Sequence, residues 1–533
     1  MAPLQGSAMS YLSLVLALCG AATALPGGLP AGDVATQLAF ERMTIVNKTF
    51  CGEKEYDYLG MAGYGTLPHD AVDRFGDTIG GIGSGLVIGQ GSWTRRENGS
   101  YEGVAWASQD RGWNTNGTLN VQARIHQFEV KYTPVFNATP STPSAPNLQI
   151  KYVNTILLKA PDATPITGLD ADEIDSIMYP GFPPMPGATV KGNGFGGPGI
   201  GGRRISMDLE GIALDSIGTF WVSDEYGPYL YQFSRTGLLI QAVAPPMAYL
   251  PRRNGQVSFS AASPPSYDPD RKPQPVAPET GRNNNQGLEG LTICSDYQTM
   301  YAMMQSGMNQ EGGPSRQHSR QARLLKYKLD GTRPPTYEGE WIVTLPMYTD
   351  AEGKQTVAAQ SEINCLPTGD VAILTRDGGA GRGQRRTRSV FRHIDILSGF
   401  GHATNIKSWN FDKTGGAIAS DKGELKFGLK ALDYCPWIDI NSDDQLARFG
   451  LHNGGAQDAQ LLSEKWESLV LMPLKKEDWT GQAGPDKKEY LLFTMSDNDF
   501  VTQNGRLNNG QFVYQDKSGC NVDTQVLVFR VAM

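Results

Sequence analysis

Acidic residues recur in this sequence at spacings that can build a site. Asp208-Leu209-Glu210-Gly211-Ile212-Ala213-Leu214 leads into the turn residues Asp215-Ser216-Ile217-Gly218, then into Thr219-Phe220-Trp221-Val222-Ser223-Asp224-Glu225. The plan returns at Gly287-Leu288-Glu289-Gly290-Leu291-Thr292, ending in Met304-Gln305. It returns again from Ser361-Glu362-Ile363-Asn364 to Thr375-Arg376-Asp377, and from Trp466-Glu467-Ser468-Leu469 to Ser496-Asp497-Asn498. A diverged copy runs from Gly83-Ser84-Gly85-Leu86-Val87 to Ser108-Gln109-Asp110-Arg111-Gly112. Two short apolar runs around turn residues read as a β-hairpin, so the first and last acids of each copy fall at the same open end. Equivalent ends gathered around an axis make a ring of oxygen ligands, suited to Ca²⁺, which takes roughly 6–8 oxygens in flexible geometry.

The expected ligands are Glu210, Glu289, Glu362, Asp224 and Asp377, with Asp110, Glu225, Glu467 and Asp497 as further candidates. Glu210, Glu362 and Asp377 are the candidate catalytic carboxylates. Arg111 and Arg376, inside the distal motifs, are candidates for binding an anionic group or offsetting the acids. The competing expectation is structural: acids at strand ends often accept hydrogen bonds from turn N–H groups. The six histidines (His69, His126, His318, His393, His402 and His452) are scattered, which disfavours zinc.

The elements that position these residues are short strands. Further strands are expected over Tyr229 to Phe233, Leu324 to Leu329 and Val390 to Ile396, giving three or four per unit at the scale of a propeller blade. The expected architecture is an all-β propeller over about residues 38–533, with six blades favoured and five or seven as alternatives. The sixth is sought between Ile406 and Ile440. Long Pro/Gly-rich or polar loops (Pro180 to Gly202, Pro245 to Pro278, Gly307 to Gln321) read as insertions. The terminal strand Thr524 to Val531 is expected to complete a blade with Leu38 to Val46, removing a free sheet edge. Gly192-Asn193-Gly194-Phe195-Gly196-Gly197 matches G-x-G-x-x-G, but follows no clear strand and opens no helix, so it reads as loop.

Composition supports this. Gly accounts for 63 of 533 residues, charged residues for 19% and apolar residues for 39%, with net charge −8. Such a chain buries a large core and is neither a coiled coil nor wholly disordered. Its acidity leaves no general footprint for nucleic acid. An apolar run from Tyr11 to Leu18, followed by Ala22-Thr23-Ala24, reads as a signal peptide over residues 1–24 ahead of a leader over 25–37, although no Lys or Arg precedes the run. The run is too short to span a bilayer. Sequons at Asn47, Asn98, Asn116 and Asn137 then become glycosylation candidates, and the expected location is extracellular. Five cysteines lie beyond the leader, and Cys51 with Cys520 is the expected disulfide, joining the two ends of a circular fold.

The hairpin motifs, together with Tyr226-Gly227 after Glu225 and Asp499-Phe500 after Asn498, are similar to those of the phytase-like family with esterase-like activity. The resemblance runs from about Gly80 to Phe500, with Ser84 and Met304-Gln305 departing from the acidic pattern. It implies a secreted or surface β-propeller with phosphoester hydrolase activity, here on phytate or a similar small anionic phosphoester. Two other functions remain open: a non-catalytic calcium-stabilised propeller that binds a partner or glycan, and a lactonase-like carboxylic ester hydrolase. No G-x-S-x-G elbow, Walker A loop or Arg-His-Gly run offers another hydrolase route.

Overall fold

The computed structural model describes residues 45–331, 334–475 and 487–533. The signal peptide, the leader and residues 38–44 of the expected first strand lie outside the described residues.

Five antiparallel sheets of at least four strands follow one another along the chain. Blade 1 pairs Gly85–Ile88, Tyr101–Ser108, Arg124–Tyr132 and Leu148–Leu157 in that order. Blade 2 pairs Leu209–Leu214, Phe220–Asp224, Leu230–Phe233 and Leu239–Val243. Blade 3 pairs Leu288–Ile293, Thr299–Met304, Gln321–Lys328 and Thr336–Thr344. Blade 4 pairs Ala359–Cys365, Val371–Arg376, Arg392–Ser398 and Asp433–Asp439. Blade 5 uses both ends of the described chain: Val470–Pro473, Glu489–Asp497, Thr524–Ala532 and Lys54–Leu67, with Asn47–Cys51 outermost.

The first strands of all five blades line one axial cavity of about 290 Å³, through Leu86, Ile212, Leu291, Asn364 and Val470. Their close approach explains the Glu-Gly pairs of the motif. A Cβ on Gly211 would lie 2.7 Å from Leu291 N and 2.9 Å from Glu289 O, and one on Gly290 would lie 3.0 Å from Ile363 N. A side chain there would push the neighbouring inner strand away. Ser108 and Ser223 reinforce the contact: their hydroxyls donate to the carbonyls of Glu210 (2.6 Å) and Glu289 (2.9 Å) on the next inner strand. The apolar core lies between successive sheets, with Trp437 and Trp466 among its largest fully buried side chains.

Three expectations are corrected here. The stretch from Ile406 to Ile440 holds one short helix, Trp409–Asp412, and the outer strand of blade 4. It adds no sheet among the described residues, so the large sheets number five rather than six. The terminal strand is paired on both edges, by Lys54–Leu67 (Tyr58 opposite Val531) and by Glu489–Asp497, in place of the expected Leu38 to Val46. The reason is pattern: Lys54–Leu67 is buried along almost its whole length, as an interior strand must be. Finally, Cys51 is bonded to Cys435, and a second disulfide joins Cys294 to Cys365. The Cys51 end of blade 5's outermost strand packs on the outer strand of blade 4, where Cys435 sits. Cys520 is buried in the loop before the terminal strand and takes part in neither bond.

The Pro/Gly-rich insertion between blades 1 and 2 forms a small sheet of Ser176–Ile177, Met185–Val190 and Gly202–Ile205. The G-x-G-x-x-G run is the loop between the last two of these strands, and Asn193 Oδ1 accepts from Phe195 N and Gly197 N within it.

Candidate functional site

The inner hairpins place their acids at the end of the axis opposite their turns. In two of them the register slips at the acid itself, between Leu209 and Ile212 and between Leu288 and Gly290, and in a third it slips at Ser361, directly before Glu362. Such β-bulges re-aim side chains. Here they fall at Glu210 and Glu289 and one residue before Glu362.

One oxygen each of Asp208, Glu210 and Glu225 lies within 4.8 Å of the others. All three residues are buried, as is Glu289 on the adjoining inner strand. Burial pushes the Glu210 carboxyl well above its usual range, and the charges of Glu289, Glu225, Asp208 and Glu467 add to the effect. Burial, then Asp208, raises Glu225 to about 8, with Arg111, Arg282 and Lys465 opposing. Glu289 rises well above its usual range through burial, Glu225 and Glu467, while Gln305 and Arg376 hold it back.

The decisive feature is which oxygens have partners. Both carboxylate oxygens of Glu225, and Oε2 of Glu289, are buried without any hydrogen-bond partner. A buried unpaired carboxylate is costly, so native structures pair such groups or give them a cation. Glu289 Oε1 accepts from Gln305 Nε2. Asp208 Oδ1 accepts from Arg111 N at 3.1 Å, and its Oδ2 faces Arg111 Nη1 at 3.2 Å.

Other expected ligands are committed to the chain itself. Asp224 Oδ1 accepts from Asp208 N (2.7 Å) and Tyr226 N (3.2 Å), and its Oδ2 accepts from Gly227 N (3.0 Å). Asp377 accepts from Ser389 Oγ (2.6 Å) and Val390 N (2.9 Å). Glu362 Oε1 accepts from Leu291 N (2.8 Å) and Ile363 N (2.9 Å), which oppose the upward push of burial on that carboxyl. Asp224 and Asp377 thus hold turns, and Glu362 ties blade 4 to blade 3. Glu467 pairs with Arg376, whose Nε also donates to Ser361 Oγ at 3.1 Å. Asp110 and Asp497 join Asp499 in a second carboxylate group at the same end. Arg111 and Arg376 each stand at one of the acids, Arg111 at Asp208 and Arg376 at Glu467. Burial works against the Arg111 guanidinium, but Asp208, Tyr226 and Glu225 outweigh it and hold its pKa well above the usual range.

Two residues were missed by sequence reasoning. Asp208 lies two positions before Glu210, a spacing that puts strand residues on one face, and that periodicity was the available signal. Lys465, directly before Trp466-Glu467, carried no signal, because its partners Asp497 and Asp499 come from the far side of a polar insertion.

The donors around Glu225 are all oxygens, with no histidine or thiolate among them. That chemistry fits a hard cation such as Ca²⁺ and not zinc, and the orphaned Glu225 oxygens fit the same group. Fold and site together define a β-propeller with a buried, carboxylate-lined axial site.

The sequence matches the family described as "Phytase-like: Esterase-like activity of phytase" over residues 93–416. It is 53% identical over 501 residues to an uncharacterized secreted protein of Arthroderma benhamiae, covering 92% of this chain and 97% of that one. The chain belongs to this phytase-like family. With that relative and two disulfides, it is a secreted protein. Among solved structures, a luciferin-regenerating enzyme overlaps at 13% identity and a TM-score of 0.26, covering 88% of this chain and 95% of that one. Virginiamycin B lyase from Staphylococcus aureus overlaps at 9% identity and a TM-score of 0.19, covering 62% and 100%. Overlaps this loose carry no functional argument. Among the described residues, no helix is long and apolar enough to cross a membrane.

Proposed function

We propose that this protein is a secreted, metal-assisted ester hydrolase acting on small anionic phosphoesters, phytate or a related compound, with Ca²⁺ held by Asp208, Glu210 and Glu225. The observation that carries the reading is the pair of buried, unpartnered oxygens on Glu225 beside two further carboxylates. A bound Ca²⁺ would supply Lewis-acid stabilisation of the charge on an ester oxygen. Glu289, whose Oε2 is unpartnered and whose proton affinity is raised, is the general base. Glu210, the candidate shared by the ligand and catalytic roles, feels the charges of both Glu289 and Glu225. Asp208 and Glu467 hold the guanidinium groups of Arg111 and Arg376 in place, from which they bind and orient an anionic group. Family membership supports the esterase class, and the all-oxygen donor set supports the choice of cation.

The competing non-catalytic reading is favoured by one observation: every acid at this end from Asp208 to Glu289 is buried. One experiment separates them. Purified protein is offered phytate, p-nitrophenyl phosphate and a lactone, with and without EDTA and with Ca²⁺ restored. Phosphate release that EDTA abolishes and Ca²⁺ restores, and that Glu289→Gln lowers by at least about 100-fold, is the expected result. Bound Ca²⁺ with no turnover would leave the structural role, and lactone turnover alone would transfer the reading to carboxylic esters.

A further inference from the structure

A second set of carboxylates at ligand spacing stands beside the Asp208–Glu210–Glu225 group. Asp110 follows the second strand of blade 1, and Asp497 and Asp499 come from the end of the second strand of blade 5. Each offers one oxygen within 4.8 Å of the other two. The two groups differ in what surrounds them. In the first, a cation touches one acid only, Arg111 Nη1 standing 3.2 Å from Asp208 Oδ2; in the second, an ammonium bridges acids, Lys465 Nζ lying 2.8 Å from Asp499 Oδ1, 3.2 Å from Asp497 Oδ2 and 3.5 Å from Glu467 Oε1. Backbone pairing sets Lys465 directly opposite Asp497, so the register of the sheet delivers the ammonium to the acids. Two other oxygens have local uses. Asp110 Oδ1 accepts from Gly112 N at 2.8 Å, and Asp497 Oδ1 accepts from Asp499 N at 2.7 Å. None of the three carboxylates has a buried oxygen without a hydrogen-bond partner, in contrast to Glu225.

Taking Asp208, Glu210 and Glu225 as a divalent-cation site, we infer that the Lys465 ammonium is the resident cation of the Asp110–Asp497–Asp499 group. This end of the axis therefore takes one exchangeable divalent ion, not two. The ammonium sits on Asp497 and Asp499, two of the three carboxylates a divalent ion would need, and it is already tethered there by its strand. A second divalent ion would meet both a positive charge and oxygens already engaged.

The test is calcium stoichiometry. Wild type, Lys465→Arg and Lys465→Met are dialysed, analysed for bound calcium by mass spectrometry of the elements, and titrated calorimetrically with CaCl₂ alone. One ion per chain is expected in wild type and in Lys465→Arg, and two in Lys465→Met. The added ion should disappear in the double variant Lys465→Met/Asp499→Asn. Two ions in wild type, or no more ions in a folded Lys465→Met than in wild type, would overturn the inference. If Lys465→Met folds only with CaCl₂ present, calcium is replacing the ammonium, which supports it. If no calcium concentration restores that variant's fold, the lysine is not acting as an interchangeable cation, and the inference falls. No ion in wild type but one in Lys465→Met would uphold the role of Lys465 while removing the reading of the Asp208 group.

Discussion

Replacing Glu225 with glutamine keeps the shape of the side chain and removes its charge, and the structure gives this change opposite signs without and with calcium. In the metal-free protein the Glu225 pKa stands at about 8, against an ordinary value of 4.5. A carboxyl whose pKa is raised on folding contributes fully to stability below its unfolded pKa. That contribution is lost as pH rises through the folded value. The window therefore runs from about pH 4.5 to 8. At about 1.4 kcal/mol per pKa unit, the charged Glu225 costs at most roughly 5 kcal/mol above that window. For a chain of 533 residues the unfolding entropy makes 1 kcal/mol worth about 1 °C of Tm. Glu225→Gln should thus melt up to about 5 °C higher than wild type in EDTA at pH 8–9, and level with it near pH 4.5. Calcium reverses the order. At 100 times Kd a ligand of the native state adds about 2.7 kcal/mol, or about 3 °C for wild type, and most of that shift should vanish in Glu225→Gln. The assay is differential scanning calorimetry at pH 4.5 and pH 8, each in EDTA and in CaCl₂. A variant that melts lower than wild type in EDTA at pH 8, and keeps the full calcium shift, would refute both the electrostatic and the ligand argument.

Glu362→Gln should retain the calcium shift, because Glu362 Oε1 is occupied by Leu291 N and Ile363 N; calorimetric loss of the shift would return Glu362 to the ligand set. Asp224→Ala removes the acceptor of three backbone N–H groups, so urea titration should show a loss of about 3 kcal/mol or more with calcium binding unchanged once folded. Non-reducing peptide mapping should find Cys51 joined to Cys435 and Cys294 to Cys365. Loss of the first bond, which spans 384 residues, should cost about 4–6 kcal/mol by the chain-entropy estimate. All four sequon asparagines are exposed, but Asn47 Nδ2 donates to Trp437 O at 2.6 Å. Glycopeptide analysis should therefore find Asn98, Asn116 or Asn137 occupied ahead of Asn47.

The sequence by itself determined the repeating hairpins and the end of them that carries charge. Alternation, turn residues such as Asp215 to Gly218 and the Glu-Gly pairs are local signals, and a hairpin's two ends come together whatever the rest of the chain does. The extracellular setting and the family resemblance were legible for the same reason: short motifs in a fixed order need no three-dimensional context. Tertiary structure alone decided which acids are available. Asp224 and Asp377 look equivalent to Glu225 in sequence, yet their oxygens are taken by N–H and O–H groups that the fold brings to them. Those of Glu225 are sealed in with no partner at all. Glu362 is claimed by the backbone of Leu291 on the neighbouring blade, 71 residues away. The partners of Cys51 and of the terminal strand, and the ammonium of Lys465 among Asp497 and Asp499, were likewise invisible. Each depends on contacts between segments tens to hundreds of residues apart, and periodicity within one strand carries no information about which distant group will meet it.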